Sequence, residues 1–181
     1  MEVSEKQLVL DLQAPSTKEA AFRQLVSQYQ ERLYWHIRNI LKNHDDTDDV
    51  LQNTFIKIYR NIHQFNGESQ LYSWMYRIAY NESMNFLNQK SRQEQISSED
   101  LQQHLIDQLE SDVYFEGDEI QLKLQKAIAN LPEKQKQVFN MKYFEELKYK
   151  EISHILGTSE GALKASYHIA VKKIEKFLKS H

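Results

Sequence analysis

Two stretches of this chain concentrate residue types that could bind or react. The first runs from Asp45 to Tyr80, DDTDDVLQNTFIKIYRNIHQFNGESQLYSWMYRIAY. It opens on four carboxylates, Asp45, Asp46, Asp48 and Asp49, and passes through Gln64-Phe65-Asn66-Gly67-Glu68-Ser69, where amides and a hydroxyl flank an aromatic ring. It closes on Tyr72, Trp74, Tyr76 and Tyr80 clustered around Arg77. Carboxylates this close could hold a cation, but a calcium loop needs alternating oxygen ligands, a glycine and a distal Glu at fixed offsets, and these are absent. A local role fits better. They accept from the free N–H groups of a helix start and oppose its dipole, which predicts a helix beginning near Thr47. Amides beside aromatic faces and a cation suit unpaired bases, which need hydrogen bonds on one edge and a flat wall. The aromatics equally suit core packing, with Trp74 inside and Tyr72, Tyr76 and Tyr80 partly outside. The second stretch, Lys148 to Ser180, ends in Lys172, Lys173 and Lys176, ammonium groups suited to phosphates. Seven histidines never fall at a zinc-ligand spacing, and no Ser-His-Asp set or Gly-rich phosphate loop occurs. No catalytic residue, metal ligand or cofactor is therefore assigned, and the chain does not read as an enzyme.

The elements that must position these residues are helices. Leu51, Phe55, Ile58 and Ile62 recur as one buried stripe, leaving Asp49, Gln52, Asn53, Ile56 and Arg60 on another face. Asn66-Gly67 breaks the pattern, and Ser69 is placed to cap a helix carrying Leu71, Trp74, Met75 and Ile78. Upstream, Ser16 with Glu19 forms a capping-box pattern before Phe22, Leu25, Val26, Tyr29, Leu33, Ile37, Ile40 and Leu41, a long helix with a possible break near Gln30. Downstream, Leu124, Ile128 and Leu131 predict a helix stopped by Pro132, and the next carries Val138, Phe139, Met141 and Tyr143. Ile152, Ile155 and Leu156, then Gly157 as a left-handed C′ residue, then Thr158 or Ser159 as a cap, make a helix-turn-helix. Leu163, Tyr167, Ala170 and Ile174 of its last helix face the core. Ser159, Glu160, Lys164, Ala165 and His168 are left for a DNA groove.

These residues carry a family resemblance. Asp48, Asp49, Val50, Gln52 and Phe55, then Phe65, Gly67, Ser69, Leu71, Trp74, Arg77, Ile78, Ala79 and Asn81, match the pattern of paired aspartates followed by Phe-x-Gly-x-Ser-x-Leu-x-x-Trp-x-x-Arg-Ile-Ala-x-Asn. The chain resembles the bacterial RNA polymerase sigma factors of the sigma-seventy family, extracytoplasmic-function group, over roughly residues 17–90 and 118–179. The resemblance implies core-polymerase binding through Asp48, Asp49, Gln52, Asn53 and Ile56. It implies minus-ten DNA binding through Gln64, Phe65, Asn66, Gly67, Ser69, Tyr72, Trp74 and Arg77. Minus-thirty-five binding would fall to Thr158, Ser159, Glu160, Lys164, Ala165, His168, Lys172 and Lys173. Core RNA polymerase, promoter DNA and an anti-sigma factor are the implied partners. Ser166, Ile169 and Val171 depart from the pattern, standing where the family usually has arginines, which weakens direct base readout.

Composition bounds the rest. With 181 residues, 40% apolar content, four Gly and two Pro, the chain reads as all-α. Two small helical domains are expected, an N-terminal helical bundle over 1–90 and a C-terminal helix-turn-helix domain over 118–181, joined by a flexible acidic linker over 91–117 with at most one short helix. Zero cysteines exclude a disulfide framework, and no apolar run approaches a membrane span, so a cytoplasmic protein without membrane insertion is expected. Nine acids between Asn88 and Glu119 face only Lys90 and Arg92, a net of −7, so the remainder carries +4 and weak non-specific DNA binding is expected. A stand-alone helix-turn-helix regulator with an N-terminal sensing or dimerisation bundle is the alternative, and an all-helical adaptor a third reading.

Overall fold

Helical periodicity wins along the whole described chain. This computed structural model describes residues 4–110 and 119–180, and among them there is no strand. The elements are α1 (Glu5–Gln13), α2 (Lys18–Leu41), α3 (His44–Asn61), a 3-10 turn (Ile62–Gln64), α4 (Leu71–Glu94), α5 (Ser98–Glu110), α6 (Glu119–Ala129), α7 (Glu133–Tyr143), α8 (Tyr149–Leu156) and α9 (Glu160–Ser180).

Helices α1 to α4 form the first unit. Leu25, Leu33, Ile37 and Leu41 of α2 pack with Val50, Phe55 and Ile58 of α3 and with Leu71, Met75 and Ala79 of α4, all buried. Truncating one, such as Ile58→Ala, should cost about 2–5 kcal/mol. Helix α2 passes Gln30 without a break and ends where Lys42 turns left-handed at φ 59°. Helix α3 starts earlier than the aspartates suggested. Asn43 is its N-cap, accepting from the Asp46 N–H at 2.9 Å, so Asp45 and Asp46 occupy the first turn rather than the cap. Helix α1 is an addition to the sequence reading, tied in by Leu8 and Leu12. It also supplies what Ser69 was expected to supply: the Leu71 N–H at the start of α4 donates to Glu5 Oε1 at 3.0 Å, while the Ser69 hydroxyl donates to the Gln70 carbonyl. The Ser16 capping box is likewise absent, Thr17 being the residue before α2, with no side-chain cap bond.

Between the units, α4 continues to Glu94 and α5 is the one short helix expected of the linker. Its N–H at Asp100 donates to Ser97 Oγ at 3.0 Å, and Leu101, Leu105 and Ile106 are buried. The rest of the acidic spacer, residues 111–118, lies outside the described residues. In the second unit Pro132 precedes α7 with φ −55°, as its fixed geometry favours. Ala127, Ile128, Leu131, Phe139, Ala170 and Ile174 make a core of their own. Val138, Met141, Leu147, Ile152, Ile155 and Leu163 instead join the apolar cluster of the first unit, so the two units pack on each other along α4 and α8.

Candidate functional site

Three surfaces hold the residues singled out by the sequence. On α3, Asp48, Asp49, Gln52, Asn53 and Ile56 are all exposed and fall on one stripe, with Ile56 42% exposed. They share a face because Thr47, Val50, Thr54, Phe55 and Ile58 take the opposite one, Thr54 turning its hydroxyl to donate to the Val50 carbonyl at 2.7 Å. Asp46 is apart from the stripe, paired with Lys90 at 2.7 Å.

The second surface is the loop between α3 and α4. Gly67 has φ +78°, a conformation that side chains disfavour, although a Cβ there would meet no atom within 4 Å. Its glycine is explained by backbone shape rather than crowding. Asn66 Oδ1 accepts from the Glu68 N–H at 3.2 Å, closing a short turn. Behind the loop, Gln13 Nε2 donates to the carbonyls of Ile62 at 3.0 Å and Phe65 at 2.8 Å, so α1 holds the loop backbone in place. Phe65 is buried against Trp74 with ring centroids 5.6 Å apart. Gln64, Asn66 and Arg77 are exposed, while Ser69 and Trp74 are half-buried.

Trp74, expected inside, is only half-buried, whereas Tyr72 and Tyr76, expected partly outside, are buried and Tyr80 is half-buried, so the tyrosines take the core-packing role weighed for them. They form one stripe of α4, and that stripe faces the second unit. The Tyr72 ring is 4% exposed and its hydroxyl donates to Glu145 Oε2 at 2.8 Å. The Arg32 guanidinium lies 3.7 Å over the same ring and donates to the Glu145 carbonyl at 3.2 Å, with Nε 3.8 Å from the carboxylate. The Tyr80 hydroxyl donates to Glu133 Oε1 at 3.2 Å, and Tyr76 stacks on His36 at 3.5 Å. Burial raises the Glu145 carboxyl pKa despite the opposing pull of Tyr72 and Arg32. Burial first, then the charge of Glu145, pushes the Tyr72 phenol up. The i, i+4, i+8 spacing of the tyrosines was a signal for a covered face. Glu145, Arg32 and Glu133, which cover or pin it, carried none.

The third surface is the helix-turn-helix. Gly157 ends α8 with φ 64° and its N–H donates to the Ser153 carbonyl at 2.9 Å, as expected of a left-handed cap. Ser159 Oγ accepts from the Ala162 N–H at 3.4 Å. Leu163, Ala170 and Ile174 are buried and Tyr167 stacks on Phe139, which leaves Thr158, Ser159, Glu160, Lys164, Ala165, His168, Lys172, Lys173 and Lys176 exposed. Among the described residues no three His, Asp or Glu side chains are grouped to hold a metal, and no helix is long and apolar enough to cross a membrane.

An exposed polar stripe, a braced loop and a helix-turn-helix stand on a two-unit frame that is all-helical among the described residues. Two family models match the chain in order, sigma-70 region 2 over residues 25–93 and sigma-70 region 4 over residues 121–174. The chain is 33% identical over 163 residues to the ECF RNA polymerase sigma-E factor of Haemophilus influenzae, covering 86% of each chain. It is 30% identical over 166 residues to the RNA polymerase sigma-H factor of Pseudomonas aeruginosa, covering 87% of this chain and 86% of that one. In fold it is similar to CnrH, solved in complex with the cytosolic domain of CnrY, with a TM-score of 0.69, 20% identity and coverage of 96% and 97%. The sigma factor RpoE, solved with the anti-sigma factor NepR from Bartonella quintana, gives a TM-score of 0.67 at 18% identity, covering 87% and 96%. The chain belongs to the extracytoplasmic-function group of sigma-70 family RNA polymerase sigma factors. Both halves match, so the stand-alone regulator is not favoured.

Proposed function

We propose that the three surfaces divide the work of a promoter-specificity subunit acting in the cytoplasm without catalysing a reaction itself. The α3 stripe of Asp48, Asp49, Gln52, Asn53 and Ile56 docks on core polymerase. The loop from Gln64 to Ser69, with Tyr72, Trp74 and Arg77, captures the melted minus-ten element, and α9 docks on the minus-thirty-five duplex. Lys164 is the one lysine or arginine in the first half of α9, so that duplex is read through backbone placement and shape, with Lys172 and Lys173 on phosphates.

The loop carries this reading. Gln13 fixes its backbone from behind while Gln64 and Asn66 face solvent, a preorganised edge for one base. Tyr72 is covered by Glu145 of the second unit and by Arg32 and Tyr29 of its own, so it joins the DNA surface only when the second unit leaves α4 and Arg32 swings off the ring. CnrH was solved with the cytosolic domain of CnrY and RpoE with the anti-sigma factor NepR, and an anti-sigma factor that holds the packed form is the corresponding partner here. Replacing Asn66 by Ala tests the loop. It should leave polymerase binding and duplex binding by α9 intact, and change the preferred base at one position of a forked minus-ten probe. Unchanged preference at every position would return the loop to a structural role.

A further inference from the structure

A cavity of about 60 Å³ lies in the seam between the two units, walled by α2, α4, α5, α6 and α7. That volume holds roughly five water-sized positions, enough for an organic molecule of about six heavy atoms. Most of its wall is apolar, from Ile40, Leu87, Leu105 and Ile128. Polar side chains interrupt that wall, His36, Lys42 and Lys136 among them. His36 is 2% exposed, and among the described residues its Nε2 has no hydrogen-bond partner, a costly state for a buried ring nitrogen. Lys42 reaches across to Gln125 of α6, and Lys136 to Gln102 of α5 at 2.5 Å. Each ammonium thus has a neutral amide as its nearest partner. The Glu133 carboxylate is 3.9 Å from Lys136, and among the described residues none lies within ion-pair distance of Lys42.

Charge and shape together select the occupant. Two lysines and one glutamate give the lining a net +1 when ionised, which a single carboxylate cancels. A phosphate monoester, which carries about −1.5 to −2 at pH 7, would overshoot that +1. We propose that this cavity binds a small organic carboxylate, its apolar tail among Ile40, Leu87, Leu105 and Ile128 and its carboxylate between Lys42 and Lys136, with His36 Nε2 alongside. Burial, with the neighbouring charges of Lys136 and Arg38, brings the Lys42 ammonium down to about 7, and an anion at this point reverses that penalty. Because the wall comes from both units, the ligand binds only the packed arrangement and favours it by mass action. That regulatory step rests on the reading above, in which packing covers Tyr72.

Butyrate is the probe, titrated into the full chain by calorimetry and thermal unfolding at constant ionic strength, with butylamine and 1-butanol as controls of the same body. Saturable one-to-one binding of butyrate, a raised Tm, and no saturation by either control are expected. Lys42→Gln with Lys136→Gln, checked for helicity, should weaken butyrate about tenfold or more. Leu105→Phe, which fills the tail end and leaves both lysines, should block it. Failure of butyrate to saturate, equal binding of butanol, or undiminished binding by Leu105→Phe would overturn the site, whether or not the double variant folds. The chain has no cysteine, so dyes at Gln28→Cys and Lys179→Cys report the packing of the units. Butyrate should shift their separation toward the value of the packed arrangement. Binding without that shift would overturn the regulatory step alone, while the forked-probe test decides the loop separately.

Discussion

Tyr72→Phe should loosen the seam between the two units by about 1–3 kcal/mol, the cost of leaving a buried acceptor without its donor. The substitution removes one oxygen and keeps the ring, so the Arg32 stack at 3.7 Å and the Tyr29 stack at 5.9 Å remain. What is lost is the 2.8 Å bond to Glu145, a residue only 8% exposed. Arg32 does not replace it. Its Nε is 3.8 Å from the carboxylate and its side chain is 48% exposed, a geometry in which solvent screens most of the attraction. A loss of this size shifts the packed-to-open ratio roughly 5- to 150-fold. Hydrogen exchange at Met141, Leu147 and Ile152, which pack against the first unit, reads that shift directly. Glu145→Gln is the companion. A neutral amide accepts the same bond without the cost of a buried charge, so the seam should hold as well or better. Burial raises the Glu145 carboxyl above 4.5, so its contribution is full below about 4.5 and lost as pH rises through the raised value. His36 works oppositely: its imidazole falls from 6.5 to about 3, so its contribution is present above 6.5 and lost as pH falls. The difference between the wild type and Glu145→Gln therefore isolates the acid, and the wild-type seam should tighten relative to the variant as pH drops. Unchanged exchange in Tyr72→Phe, or a pH-independent difference from Glu145→Gln, would show that the Tyr72–Glu145 bond does not hold the seam.

Three other outcomes follow from the exposed surfaces. Asp49→Ala with Gln52→Ala should cost less than about 0.5 kcal/mol of stability yet abolish core-polymerase binding, checked by unfolding and by pull-down with core enzyme. Removing Lys172 and Lys173 together should weaken all duplexes alike and flatten the salt slope by up to about two units, whereas a change at one base position would contradict the phosphate role. Gln13→Ala deletes two bonds to the loop, each worth about 0.5–1.5 kcal/mol net, and should speed exchange at the loop amides and weaken single-stranded minus-ten probes. Equal probe affinity would make α1 irrelevant to the loop.

The faces of α3 and α9 were legible because a helical period that buries one stripe leaves its complement in water. Gly157 was legible because glycine adopts φ near 64° without strain, whereas Lys42 and Gln95, which end α2 and α4 in the same left-handed region, gave no such sign. Caps were less so. A run of four aspartates outshone Asn43, which does the capping, and Glu5 caps α4 from 66 positions away, beyond any local pattern. Helix α1 escaped notice because only Leu8 and Leu12 are buried while Leu10 stands 59% exposed, too few positions for a clear stripe. The Tyr72, Tyr76 and Tyr80 stripe could be read as a face but not as a seam. Periodicity reports that a side of a helix is apolar or aromatic, and what covers it depends on long-range packing that local spacing does not encode.

As a sigma factor, this chain directs polymerase to promoters. The direct measurement adds it to core RNA polymerase on genomic DNA and sequences the transcript 5′ ends. New starts should arise at a limited set of positions that share two upstream sequence blocks at constant spacing. A start distribution identical with and without the chain, despite confirmed folding, would contradict it.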